Sequence, residues 1–222
     1  RRATLRLMAD QARQGRRALA VGALDAIGEL MDDGWQHKKR LASKITNGQI
    51  DAINCFYVGT TTCGWAQGLW PHSSTVSFSA DGVSAYRYQI TDMGSSLQLD
   101  TFCHENGHML CNWPDLYDYG FDSKGIGRFC LMCDMASPTN PVQPCAYLKH
   151  IAGWSQTTPL VSHQNGLSIS STQNQVYKYD HPTYSNEYYL IENRQKTGRD
   201  AALPDAGLAV WHIDTYGSND YQ

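Results

Sequence analysis

The chain has 222 residues and a formal net charge of −3, with 41% apolar, 18% charged and 11% aromatic residues. That length suits one sizeable core, and the aromatic content excludes an intrinsically disordered chain. No apolar run approaches the roughly 18 residues of a membrane-spanning helix, and a mildly acidic balance gives no footing to nucleic-acid binding.

Along the chain, residues 1 to 44 hold ten Lys/Arg against five acids and the remainder holds eight against sixteen. The basic part has helical periodicity through Leu5, Met8 and Ala12, then Ala20, Val21, Leu24, Ile27, Leu30 and Met31, ending near Asp33-Gly34. It reads as a solvated basic face on a packing helix. Residues 52–58 read as a strand, and 75–90 as a hairpin turning at Asp81-Gly82. Residues 97–112 read as a helix stopped by Trp113-Pro114. A loop-rich stretch, 113–145, leads to a short helical segment around Tyr147 to Ile151. The last seventy residues read as β, with strands at 167–169, 175–179, 187–193 and 207–213.

Two counts stand out. Seven cysteines suggest an exported, disulfide-bearing protein, or alternatively metal or redox groups. Glutamate occurs only at Glu29, Glu105, Glu187 and Glu192, against seventeen aspartates. The chain begins Arg1-Arg2 without a secretory h-region, which reads as a mature or excised piece of a longer precursor.

His104-Glu105-Asn106-Gly107-His108 is an HExxH. On a helix the two histidines lie about 40° apart, so both imidazoles face one point, while Glu105 lies about 100° from His104. Two neutral imidazoles suit Zn²⁺, and the carboxylate beside them suits a general base acting on zinc-activated water. With so few glutamates, random placement yields this pattern roughly 0.5% of the time. A zinc peptidase needs a third protein ligand. The only later glutamates, Glu187 and Glu192, lie in strand-like sequence, which argues against a Glu from a following helix. Asp115, directly after the helix stop, is the expected third ligand, with Asp118 and Asp122 as the other candidates.

The run HENGHMLCNWPDLYDYG resembles the zinc site of the immune inhibitor A family of secreted metallopeptidases, a branch of the metzincins. Gly125 to Met132 resembles the family's methionine-turn region. Gly68-Leu69-Trp70-Pro71-His72, Tyr189 to Arg194 and Val210 to Asp214 resemble further segments, so the likeness runs from about Ala23 to Asp214. It implies His104, His108 and Asp115 as zinc ligands, Glu105 as catalytic base and Met132 as the methionine beneath the metal. It also allows a calcium site, to which Glu192 could contribute with aspartates. There are two departures. Cys111 stands where the family has a glycine, and Asp115 falls eleven residues after His104 where ten is usual.

The expected protein is therefore α+β: a single metzincin-like catalytic domain over 1–222. Residues 1–112 would supply a mixed sheet packed on two helices, the second carrying the zinc histidines, and 113–222 the methionine-turn loops and a β-rich part. A secreted, monomeric zinc endopeptidase follows. Its substrates are proteins or peptides, and an extended peptide would add along the sheet's edge strand. The competing readings are a catalytically inactive metal-holding adhesion module, and a structural-zinc or redox protein built on the Cys130-Leu131-Met132-Cys133 CxxC. Disulfides would join Cys103 or Cys111 to Cys130 or Cys133, and Cys55 to Cys63. Glu192 and Arg194, in phase on one strand, read as an ion pair. His37, His72, His150, His163, His181 and His212 read as surface or strand histidines.

Overall fold

Short runs of β-branched and aromatic residues, punctuated by glycine, set up most of the strands. The computed structural model describes Gln14 and residues 49–65, 67–80, 83–94 and 98–218. The basic amphipathic segment and His37 lie outside the described residues. The strands are β1 (Gln49–Ile50), β2 (Ile53–Tyr57), β3 (His72–Ala80), β4 (Val83–Asp92), β5 (Gln156–Pro159), β6 (Gln175–Asp180), β7 (Glu187–Arg194) and β8 (Gly207–Asp214). The helices are α1 (Leu99–Cys111) and α2 (Ala146–Ile151), with 3-10 turns at Gly127–Phe129 and Gly198–Ala202. The described residues are thus mixed α+β, with two sheets and few helices. No helix among the described residues is long and apolar enough to cross a membrane.

Two compact units divide the chain. The first comprises Arg1–Asp51 and Ser77–Tyr86, and in it β1 runs parallel to β4, pairing Gln49 with Ser84 and Ile50 with Ala85. The second comprises Ala52–Val76 and Arg87–Gln222. There β2 runs parallel to the end of β4, from Ile53 opposite Tyr88 to Tyr57 opposite Asp92. β3 also pairs with β4, as the hairpin reading expects, while its turn at Asp81-Gly82 lies outside the described residues.

Helix α1 is seated on this sheet at two points. Phe102 meets Phe56 of β2 with ring centroids 5.2 Å apart, and Arg87 of β4 donates to the Met109 carbonyl at 2.7 Å. The latter bond serves one of the carbonyls that a helix C-terminus leaves without an intrahelical partner. At the other end, the Leu99 and Asp100 amides both donate to Pro138 O.

The second sheet has the order β5-β6-β7-β8, with β5 and β6 parallel and the other pairs antiparallel. The expected strand at 167–169 is not formed. Its backbone is served by side chains instead: Tyr177 Oη donates to Ser168 O and Asn193 Nδ2 to Ile169 O. Conversely β5, Gln-Thr-Thr-Pro, carries too little apolar pattern to be read from sequence, and it forms by pairing with β6.

Along β7, Leu190, Glu192 and Arg194 alternate inward and are buried. Glu192 accepts from Lys149 Nζ (3.1 Å), the Ala146 amide (3.0 Å), Trp211 Nε1 (3.0 Å) and Arg194 (3.2 Å). Arg194 forks onto both oxygens of Asp200 at 2.8 Å and donates to Phe129 O. Two cations thus balance two anions, which is what makes burying them tolerable. The ion pair expected between Glu192 and Arg194 is present at 3.2 Å. Four donors thus occupy the Glu192 carboxylate, the group considered for a calcium site.

A core cluster of Trp113, Cys130, Leu131, Met132, Cys133, Cys145 and Leu148 joins the end of α1 to the methionine segment and α2. Met132 and Cys130 are fully buried. All seven cysteines are free thiols in the structure, so the disulfides expected above are not formed in it. The Cys145 amide donates to Cys130 Sγ.

Candidate metal centre

Helix α1 places the site. His104, Glu105, Gly107 and Met109 are its buried residues, so the HExxH faces inward. The helix continues through Cys111, the residue that stands where the resemblance would place a glycine. Asn112 then takes the left-handed conformation (φ 53°, ψ 33°). Its amide bonds His108 O at 3.1 Å, and the Trp113 amide bonds Gly107 O at 3.2 Å. Asparagine tolerates this region better than other residues bearing a side chain, so it substitutes for glycine at the helix end. The left-handed turn at Asn112 ends the helix and carries the chain on to Asp115.

Each histidine is oriented by a backbone carbonyl. His104 Nδ1 lies 3.1 Å from Leu131 O, and His108 Nδ1 lies 2.6 Å from Trp113 O. A carbonyl only accepts, so both rings carry their proton on Nδ1, and Nε2 points at the partner residues. There, His104 Nε2 and His108 Nε2 are 3.1 Å apart, and Asp115 Oδ1 lies 3.0 and 3.2 Å from them. Among the described residues this is the only group of three or more His, Cys, Asp or Glu whose ligand atoms are close enough to share an ion.

The donor set fits a zinc-like cation. Ligands of a tetrahedral ion with bonds of about 2.0–2.1 Å stand about 3.3–3.4 Å apart, close to the triangle observed. With both imidazoles neutral, three lone-pair atoms converge in a largely buried place, an arrangement that demands a cation or shared protons. Without a metal, protons would fill that role. Burial works against a charge on His108, but the hydrogen bond and charge of Asp115 outweigh it and raise its pKa. Burial likewise opposes ionisation of Asp115, yet bonds from His104 and His108 hold its carboxyl well below the usual carboxylate range. Glu105 is shifted the other way: burial, aided by the charge of Asp115, raises it, while His104, His108 and His72 oppose the rise.

Met132 lies against the helix between the two histidines. A β-carbon built at Gly107 would stand 2.6 Å from Met132 Sδ and 3.0 Å from Trp113 Cε3, so glycine is what lets the methionine approach. The same segment serves the site through its backbone, since Leu131 O orients His104 and Met132 O accepts from the Leu116 amide at 2.6 Å. Gly125 packs on the ligand segment too, where a β-carbon would fall 2.5 Å from Leu116 O.

Of the other carboxylates considered as third ligand, Asp118 is turned to its own loop. It accepts from the amides of Gly120, Asp122 and Ser123, which hold it low, at about 2. Asp122 is exposed, and neither belongs to the three-residue group. The CxxC does not supply a metal site either. Burial pushes Cys130 well up and Cys133 up to about 11.

Three features were not read from the sequence. Tyr119 Oη donates to Asp115 Oδ2 at 2.9 Å. Tyr117 packs edge-on to Tyr119, and burial together with the charge of Asp115 raises its phenol. His72, read as an ordinary strand histidine, bonds Trp70 O and Tyr88 Oη and is near enough to Glu105 to influence it. A four-residue spacing from Asp115 to Tyr119 was the one signal available for these. His150 bonds Thr157, and the exposed His212 bonds Glu187, in keeping with the surface or strand reading.

Compared with known protein families and with curated proteins, the chain finds no match.

Proposed function

We propose that this protein is a zinc-dependent endopeptidase of the metzincin type, similar to the immune inhibitor A family. The observation that carries the reading is the convergence of His104 Nε2, His108 Nε2 and Asp115 Oδ1 within 3.0–3.2 Å, with the buried Glu105 on the same helix. Those three atoms would hold the ion, which when bound supplies Lewis-acid activation of water and of the scissile carbonyl. Glu105 is buried beside them but outside the ligand triangle, the position a general base needs. Burial raises its carboxyl in the metal-free protein, and the charge of a bound cation would oppose that rise. Glu105 then accepts a proton from the attacking water and passes it to the departing amine nitrogen. Leu131 O and Trp113 O keep the imidazoles in the tautomer that leaves both Nε2 atoms free to bind. A secreted protein with peptide substrates adding along β3 completes the proposal.

The test is zinc content and casein hydrolysis by the purified protein, with and without chelator, beside Glu105→Gln. The expected result is about one zinc per chain, cleavage abolished by the chelator, and a variant that keeps zinc while losing about 10²–10⁴-fold in rate. Cleavage that survives chelation, or a fully active Glu105→Gln, sinks the mechanism. Zinc held with nothing cleaved points to the adhesion-module reading.

A further inference from the structure

Asp115 has two carboxylate oxygens, and the structure gives them different work. Oδ1 faces both imidazoles, while Oδ2 accepts the Tyr119 hydroxyl at 2.9 Å. Tyr119 lies four residues beyond Asp115, across the turn of the Pro-Asp-Leu-Tyr-Asp-Tyr segment. That segment is itself fixed, by the Leu116 amide on Met132 O and the Ile126 amide on Leu116 O. The phenol therefore approaches from an anchored backbone. A carboxylate on a two-bond stem can rotate to offer one oxygen or both to an ion. A donor held on Oδ2 removes that freedom.

We infer that Tyr119 is a positioning residue for the third ligand: its hydroxyl holds Asp115 Oδ2 so that Oδ1 alone is presented to the cation shared with His104 and His108. This rests on the metal reading above. Partners that orient ligating groups from behind typically contribute 10- to 100-fold in metal affinity.

The test is Tyr119→Phe, which removes one hydroxyl from a side chain that is 42% exposed. Zinc affinity is measured by competition with a chromophoric chelator. The visible absorption of the cobalt-substituted protein and the thermal midpoint of the metal-free protein are recorded on the same samples. The expected result is zinc binding about 10- to 100-fold weaker and an altered cobalt spectrum, with the metal-free midpoint unchanged. Parental affinity and spectrum in the variant overturn the assignment, as does a lowered metal-free midpoint with affinity intact, which would mark the hydroxyl as merely structural. His108→Ala separates the two levels of the argument. If the parent binds no zinc, or His108→Ala binds it as well as the parent, the metal reading itself fails.

Discussion

Replacing Gly107 by alanine sets two known effects against each other. Alanine in a helix interior is favoured over glycine by about 1 kcal/mol. The new methyl, however, would stand 2.6 Å from Met132 Sδ, 3.3 Å from Met132 Cε and 3.0 Å from Trp113 Cε3. Carbon contacts are comfortable at about 3.5–4.0 Å, so the overlap with sulfur is close to an ångström. Met132 is flexible, but it is fully buried in a cluster with Trp113, Leu131 and Leu148 and has no solvent to retreat into. Overpacking of this kind costs about 1–3 kcal/mol. The net expectation is a destabilisation of about 0–2 kcal/mol, which in a chain of this size lowers Tm by up to roughly 8 °C. Because Gly107 lies between the two converging histidines, the affinity for zinc proposed above should fall as well. Urea denaturation of Gly107→Ala, Met132→Val and the double variant supplies the cycle. The double variant should be less destabilised than the sum of the singles by about 1 kcal/mol, because the shorter side chain removes the clash. If Gly107→Ala is stabilised by the full helix-propensity gain, Met132 is not pressed on the helix and the reasoning fails.

Asn112→Gly should be neutral to within a few tenths of a kcal/mol, whereas Asn112→Val should cost about 1–2 kcal/mol and weaken zinc, since the turn carries Trp113 O to His108; equal stability in the two variants would contradict the left-handed cap. Glu192→Ala leaves Lys149 and Arg194 buried without their shared anion and should cost about 3–5 kcal/mol by chemical denaturation; a loss under about 1 kcal/mol would show that the network is dispensable. Zinc affinity should rise with pH, because the ion must displace the proton that Asp115 helps His108 retain. For the metal-free protein the sign follows from the raised His108 pKa: its contribution to stability is complete below the unfolded value of about 6.5 and is lost as pH rises through the higher folded value. The depressed Asp115 acts at the other end, its contribution being lost as pH falls below the ordinary carboxylate range. Denaturation across about pH 2–9 with and without zinc checks this, with Glu105→Gln to remove the other shifted carboxyl; no pH dependence of zinc affinity would refute the coupling.

Much of the site was legible because its spacing is local. Helical periodicity alone places His104 and His108 on one side, and Trp113-Pro114 forces the chain to turn so that Asp115 follows close behind. Scarce glutamate turned attention to an aspartate for the same place. Strands β2, β3, β4 and β6 to β8 were equally readable, since runs of β-branched and aromatic residues are written into the chain. The 167–169 segment was misread because its apolar pattern says nothing about whether a neighbouring strand will accept it.

What was not legible depends on contacts across long stretches of chain. The carbonyl that orients His104 comes from Leu131, 27 residues away. Glycine at 107 looks like a weak point in a helix until Met132 is brought against it. Glu192 looks available for an ion until Lys149, Trp211 and Arg194 surround it. Asp118 and Asp115 differ by three positions and are chemically alike, yet one caps its own loop and the other meets two imidazoles. Periodicity governs neighbours within a turn or a strand. Which carboxylate is desolvated, and which oxygen of it is held by a tyrosine, is settled by how the loops close over the helix.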